Sequence, residues 1–473
     1  MSSLTRRDFV VGAAALGASP SMAASVRQPN IVFILADDLG AGDLSCYGRP
    51  DYVTPNIDRL AAQGVRLTQS YANSCTCSPT RVALATGRYQ NRLAVGNYDP
   101  LPRGVDVGLP VDHPTLASLL KRAGYETALI GKWHLGSIPK YSPLQRGYDE
   151  FFGISGGGAD YFTHASAVLG PPVHDLFEND APTRVEGYAT DLFSARAVQF
   201  IKRRRSKPFF LSLHHTAPHW PWQTRDDRGG ARVNDFHYDG GSPLIFAQMI
   251  AALDDGVGQV MKALRSAGVE RDTIVIFTSD NGGERFSYNW PLRGEKFDLL
   301  EGGIRTPGIV RWPARIPKHS TSNQLVMSMD WLPTLLAAGS GVVDAVYPSD
   351  GIDVIPMLAK ERAVQERTVF WRTQWAHAAR RGSWKYYAHA DLEYLYDLAA
   401  DESESANQRL KQPRIAAELR EAYEAWNAAM QPIPPDAITP REAFERAKGM
   451  EPFVPRGPST QGAAPRSPAN DGR

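Results

Sequence analysis

The sequence predicts an α/β fold: a large mixed, mostly parallel sheet sandwiched by helices, followed by a smaller C-terminal α+β subdomain containing an antiparallel sheet. Three features predict it. Four apolar runs of strand length each close on a polar, glycine-bearing turn, stretches with helical periodicity lie between them, and beyond about residue 345 short aromatic-rich alternation takes over. Nearly continuous apolar runs suit strands covered on both faces, as in a parallel sheet between helices.

In chain order, "NIVFILADDLG" (30–40) is the first such strand. "TPNIDRLAAQG" (54–64) reads as a helix with Thr54 as cap, Pro55 at the first position and Gly64 as stop. "SCTCSPTRVALATGRY" (74–89) predicts a helix capped by Ser78, opening at Pro79 and closing at Gly87. "HPTLASLLKRAGY" (113–125) repeats the helix grammar, and "YETALIGKWHLG" (125–136) is the second strand. "GYATDLFSARAVQFIKRR" (187–204) and "IFAQMIAALDDGVGQVMKALRSAG" (245–268) are longer amphipathic helices on either side of the third strand, "KPFFLSLHHTAPH" (207–219). "DTIVIFTSDNGG" (272–283) is the fourth strand. Strands alternating with helices argue for an open α/β sheet. Residues 367–398 alternate as antiparallel strands do, and 415–430 follow as a helix. The expected organisation is 1–24 as an export signal, 25–345 as the main α/β domain, 346–431 as the small subdomain and 432–473 as a Pro-rich tail.

At 473 residues and 42% hydrophobic, the chain can bury a large core. A formal net charge of +1 gives no reason to expect a nucleic-acid partner. Arg6 and Arg7 precede a short apolar run and a small-x-small site at Ser21 and Ala23, the layout of a twin-arginine export signal. That run is too short to span a bilayer, so no stable membrane insertion is expected. The protein is expected to be exported folded by the twin-arginine machinery, to the periplasm or beyond. Three cysteines make a poor disulfide framework and too few ligands for a four-thiolate zinc site. With Cys77 in use, Cys46 and Cys75 are expected as buried free thiols in preference to a disulfide.

Ligands of open α/β sheets bind beyond the carboxyl ends of the strands. The four apolar runs end in Asp37 and Asp38, Lys132 and His134, His219, and Asp280 and Asn281. If their strands are neighbours, Asp37, Asp38, Asp280 and Asn281 form a hard-cation site of oxygen donors, which suits calcium in preference to magnesium and argues against zinc. Arg81, Lys132 and Lys296 add fixed positive charge, which implies an anionic substrate. Cys77 stands at the positive end of the 79–87 helix, where a nucleophile facing an anion belongs; a buried structural cysteine is the alternative.

"CSPTRVALATGRY" resembles the signature of the type I, formylglycine-dependent sulfatases of the alkaline phosphatase superfamily. "ADDLG", "GKWHLG", "APHWP", "SDNGG", "GEKFDLLEGGIRTP" and "EYLYDL" match further blocks of that family in order, from Asn30 to Asp397. Thr80 stands where the family usually has Ser. The resemblance implies that a separate formylglycine-generating enzyme oxidises Cys77 to formylglycine, and that Asp37, Asp38, Asp280, Asn281 and residue 77 bind calcium. Arg81 and Lys132 would position residue 77 and the sulfate. His134 would act as base, and His219 and Lys296 would contact the ester and protonate the leaving oxygen. Ser155 is the candidate for a sulfate-binding serine. Asp160, Trp220 and Trp222 are candidates for the pocket rim, and Trp375, His377 and Arg380 for a contribution from the small subdomain. The implied reaction is hydrolysis of a sulfate ester of a small molecule or carbohydrate. The alternatives are a phosphate or phosphonate monoester hydrolase of the same superfamily and a non-catalytic, calcium-dependent binder of sulfated glycans.

Overall fold

The structure is a computed structural model that describes residues 28–166, 172–227 and 240–438. The twin-arginine segment and the tail from residue 439 lie outside the described residues. Ten strands form the main sheet: β1 (Asn30–Ala36), β2 (Val65–Leu67), β3 (Glu126–Gly131), β4 (Glu150–Ile154), β5 (Leu176–Glu178), β6 (Ala181–Pro182), β7 (Phe209–His214), β8 (Thr273–Ser279), β9 (Gly308–Arg311) and β10 (Ser320–Ser322). Their order is β10-β2-β9-β8-β1-β7-β3-β4-β5-β6. The centre, β8-β1-β7-β3-β4, is parallel throughout; β9 and β5 run antiparallel on its two sides.

The four predicted strands are the four adjacent central ones, and the structure explains their unbroken apolar runs. Successive side chains of a strand face opposite ways. Val32 and Ile34 enter a core with Ile57, Phe193 and Leu253 on one face, while Ile31, Phe33 and Leu35 enter a second core with Leu84, Leu120 and Trp331 on the other. Helices α1 (Pro55–Ala62), α4 (Ala189–Lys202) and α5 (Pro243–Ser266) supply the first layer; α2 (Cys77–Thr86), α3 (Leu116–Arg122) and α7 (Trp331–Ala338) supply the second. Between them in sequence lies a single turn, α6 (Glu301–Ile304). Helix α5 is long and apolar enough to cross a membrane by length and composition, but its apolar side is spent on this core, with Leu253, Val257 and Val260 fully buried.

Helix starts or caps differ from expectation at α2, α1 and α3. Helix α2 opens at Cys77 rather than Pro79, and the Ser78 hydroxyl does not cap it; it accepts from the Leu101 backbone N–H at 2.6 Å. Thr54 precedes α1, but its hydroxyl is engaged by Ser45 and Asp58. The N–H groups of Asn56 and Ile57 go instead to the Asp254 carboxylate of α5, at 3.1 and 2.8 Å. Helix α3 starts later than the repeated grammar places it: Pro114 precedes the cap, which is a reciprocal box between Thr115 and Ser118.

Past α8 (Ile355–Leu358), an antiparallel sheet is built from β11 (Thr368–Arg372), β12 (Ala376–Arg381), β13 (Trp384–His389) and β14 (Leu392–Asp397), with α9 (Pro413–Ala428) on one face. Its other face packs on the main body: Trp371, Tyr387 and Tyr396 share a core with Tyr71, Leu300 and Met327. Of the expected tail, residues 432–438 are described, and within them Ala437 is only 1% exposed, in the second core.

Candidate active site

Because β8, β1, β7 and β3 are adjacent and parallel, their carboxyl ends deliver Asp280 and Asn281, Asp37 and Asp38, His219, and Lys132 and His134 to one edge of the sheet. The register puts Ala36 directly beside Ser279, so the two acidic turns leave the sheet together. Asp38 (φ 61°) and His134 (φ 58°) both take the left-handed backbone region, which non-glycine residues adopt at a cost and which here turns each side chain back into the site.

The charges interlock. Lys132 Nζ lies 2.6 Å from Asp37 Oδ2, and Lys296 Nζ lies 2.7 Å from Asp38 Oδ2. Arg81 reaches Asp280 Oδ2 through Nε at 2.9 Å and through its terminal nitrogen at 2.8 Å, and donates to the Lys132 carbonyl. Asn281 Nδ2 donates to Asp38 Oδ1 at 2.7 Å. Burial and the Asp280 charge push the Asp37 carboxyl up, and burial does the same for Asp38. Burial also opposes ionisation of Asp280, but Arg81 and Lys132 outweigh it and hold that carboxyl below its ordinary range.

This donor set fits a hard cation. Asp37 Oδ1 and Asn281 Oδ1 are buried without a hydrogen-bond partner among the described residues. Orphaned oxygens of this kind are costly unless something positive faces them. Donor atoms of Asp37, Asp38, Cys77 and His219 all lie within 4.8 Å of one another. Cys77 thus sits among the carboxylates, at the first turn of α2. Burial pushes its thiol well above the ordinary range, so the sulfur stays protonated and is a poor nucleophile as it stands.

Two histidines flank Cys77 in one cleft, with Lys296, Phe297, Leu101 and Arg103 on its walls. His134 Nε2 donates to the Leu101 carbonyl at 3.0 Å, which leaves Nδ1 as the basic nitrogen; Nδ1 is buried and unpartnered among the described residues. Burial, then Lys132 and Arg81, drive the His134 pKa far below its ordinary value, so this ring is neutral and Nδ1 carries no proton. His219 Nδ1 donates to the Trp220 carbonyl, and its Nε2 faces Asp38 Oδ2 at 3.6 Å.

Gly156, Gly157 and Gly158 form the opposite wall. A Cβ on Gly157 would stand 2.7 Å from His134 Cε1, and one on Gly158 3.0 Å from His219 Cε1. The sequence alone gives these glycines, Arg103, the Leu101 carbonyl and His214 no stated role. The glycine run was the one visible signal. His214 sits beneath Arg81, 3.5 Å from its guanidinium, and burial with the Arg81 charge lowers its pKa to about 3.

The expected rim residues lie elsewhere. Ser155 Oγ donates to Asp175 at 2.5 Å, behind the glycine wall. Asp160 closes a turn on the N–H groups of Phe162 and Thr163 and accepts from Gln223. Trp220 is a core residue, and Trp222 packs edge-on against Phe286 at 4.9 Å. His377 stacks on Tyr423, Trp375 lines a hollow of the small sheet, and Arg380 reaches Tyr71; all three lie outside the cleft lining. Cys75 is a buried free thiol as expected, while Cys46 is free but only half-buried.

A family model described as Sulfatase matches residues 29–342. Arylsulfatase J of Mus musculus is 36% identical over 347 residues, covering 70% of this chain and 56% of that protein, so the chain spans little more than half of that relative's length. N-acetylgalactosamine-6-sulfatase of Canis lupus familiaris is 32% identical over 402 residues, covering 80% of this chain and 74% of the relative. The crystal structure of Ps i-CgsB in complex with k-i-k-neocarrahexaose matches with a TM-score of 0.80 at 28% identity, over 90% of this chain and 98% of that one. The chain belongs to the sulfatase family, whose members are sulfuric ester hydrolases.

Proposed function

We propose that this protein hydrolyses the sulfate ester of a small molecule or carbohydrate to an alcohol and inorganic sulfate, with Cys77 matured to formylglycine and a calcium ion held by Asp37, Asp38, Asp280, Asn281 and residue 77. The observation that carries this reading is the position of Cys77: a buried, protonated thiol set among carboxylates and two histidines, at the mouth of a helix and beside two lysines. A thiol there is a weak nucleophile. The hydrate of formylglycine supplies two hydroxyls on one carbon, one to attack sulfur and the other to release sulfate by C–O cleavage, so that two easier steps replace one hard one. A cation bound there would be held by the orphaned oxygens of Asp37 and Asn281, among others, and would supply positive charge to stabilise an ionised nucleophile.

The chain's own groups divide the remaining work. Lys132 and Arg81 hold the carboxylates in place and set the field felt by the sulfate group. Lys296 and His219, which line the cleft with Cys77, contact the ester, and His219 Nε2 carries the proton to the leaving oxygen. His134, kept neutral, takes the proton from the second hydroxyl at Nδ1. Maturation of Cys77 by a formylglycine-generating enzyme, folding and then twin-arginine export form a consistent order of events.

Enzyme purified from a maturing host is assayed on an aryl sulfate, an aryl phosphate and defined sulfated mono- and disaccharides, with intact mass read in parallel. The expected result is turnover of a sulfate ester well above the phosphate, a residue 77 that carries the aldehyde, and loss of turnover on chelation that calcium restores. Active enzyme with an unoxidised Cys77 contradicts the proposal, as does faster hydrolysis of the phosphate.

A further inference from the structure

A cluster of buried charge joins the small sheet to the loop that carries Lys296. Lys385, in β13, is fully buried, with Nζ 3.0 Å from Glu301 Oε1 and 2.8 Å from Glu404 Oε1; both carboxylates are buried too. Glu301 also accepts from Tyr71 at 2.5 Å and lies 3.7 Å from Arg305 and 4.0 Å from Arg380. Burying a cluster like this is a poor way to gain stability, since desolvation offsets most of the attraction and apolar replacements often do as well. Its geometry suggests another use.

Residues 293–302 form a closed loop around Lys296. Its ends are tied by the Gly302 N–H to the Arg293 carbonyl at 2.7 Å, and the Lys296 and Phe297 N–H groups are tied to the Gly283 and Cys75 carbonyls. At the far end of the loop, the Glu404 carboxylate caps the Glu301 N–H at 2.7 Å, and Arg293 donates to the Glu404 carbonyl. A Cβ on Gly282 would stand 1.9 Å from the Gly302 carbonyl, so the loop rests backbone to backbone on the turn after Asn281. A shift at Glu301 is therefore passed along the closed loop to Lys296. Lys385 and Glu404 hold that end, beside Tyr71, Arg305 and Arg380 on the other Glu301 oxygen.

We propose that Lys385 and Glu404 are positioning residues for Lys296, through which the small C-terminal sheet completes the active site. Lys385 draws Glu301 and Glu404 together, Glu404 fixes the start of α6, and the closed loop sets Lys296 against Asp38. The proposal rests on Lys296 contacting the sulfate ester.

The test is a double-mutant cycle on kcat/KM for an aryl sulfate, with wild type, Lys296→Ala, Lys385→Met and the double variant, each checked by circular dichroism and melting temperature. Positioning predicts that Lys385→Met lowers kcat/KM about tenfold, mostly in kcat, in the presence of Lys296, and less than about twofold once Lys296 is gone. A merely structural Lys385 gives equal losses in both backgrounds, and that outcome overturns the proposal. No loss from Lys296→Ala alone instead overturns the role given to Lys296. If Lys385→Met does not fold, Glu404→Gln replaces it in the same cycle: it keeps an acceptor for the Glu301 N–H and removes the charge facing Lys385.

Discussion

At the residue scale, the chemistry was legible where a side chain is reactive in itself and illegible where its use depends on a neighbour. Asp37, Asp280 and Cys77 announce themselves by type and place in the sequence. Leu101, which fixes the His134 tautomer through its carbonyl, does not. Gly157 lies between these cases, since only the structure shows that its missing Cβ leaves room for the His134 ring. Gly157→Ala is expected to lower kcat about a hundredfold while the protein still folds, because a ring displaced by about an ångström loses its alignment. Gly158→Ala, with its longer approach to His219, is expected to cost less. Equal activity of the Gly157 variant and wild type in a steady-state assay would remove His134 from its assigned role. His215 gives a second prediction. It is fully buried, neither ring nitrogen has a partner among the described residues, and burial alone lowers its pKa from 6.5 to about 3. Its neutral form is favoured by folding, so the associated stability is complete above pH 6.5 and falls below it, by about 2 kcal/mol at pH 5. His215→Leu escapes that loss. Its melting temperature relative to wild type is expected to rise between pH 8 and pH 5, and a constant difference across that range would refute the assignment.

At the scale of the element, strands with both faces buried and helices carrying their own caps could be read from local sequence, as β1 and α3 were. Elements completed from far away could not. The three strands that extend the sheet past β8, Gly308–Arg311, Val65–Leu67 and Ser320–Ser322, are short and gain their register only from one another and from β8. Helix α1 reads correctly as a helix and incorrectly as to its cap, because Thr54 turns to Ser45 and Asp58 while Asp254, 197 residues from Ile57, takes the free N–H groups. No rule of sequence spacing reaches that far. The distant cap predicts a stability effect without a catalytic one: Asp254→Ala leaves the Asn56 and Ile57 N–H groups unsatisfied at a buried helix end, at a cost of about 1–3 kcal/mol. Urea unfolding is expected to show the loss while kcat in dilute denaturant-free buffer stays near wild type. An unchanged midpoint would mean that water replaces the carboxylate without penalty.

At the scale of the whole molecule, the change of texture near residue 345 suggests two units, and the family match likewise stops at residue 342. The packing joins them. Trp371, Val369, Tyr387 and Tyr396 from the small sheet close one core with Tyr71, Cys75, Tyr89 and Leu300 from the main body, and Trp371 Nε1 donates to the Ala72 carbonyl at 2.8 Å. Cys75 and Ala72 flank the segment that leads into Cys77, so this shared core lies directly beneath the start of α2. Neither side can present these surfaces to water alone: separation would expose several large aromatic side chains, each worth roughly 1.5–3 kcal/mol of burial, together with the Lys385, Glu301 and Glu404 charges. Domains that unfold separately meet at smaller and more polar interfaces. Scanning calorimetry of the full chain is therefore expected to show one transition, with calorimetric and van't Hoff enthalpies in agreement, and a chain ending near residue 345 is expected to be insoluble or to melt without cooperativity. Two resolved transitions, or a shortened chain that folds and turns over an aryl sulfate, would show that the small sheet is an appendage and that the active site is complete without it.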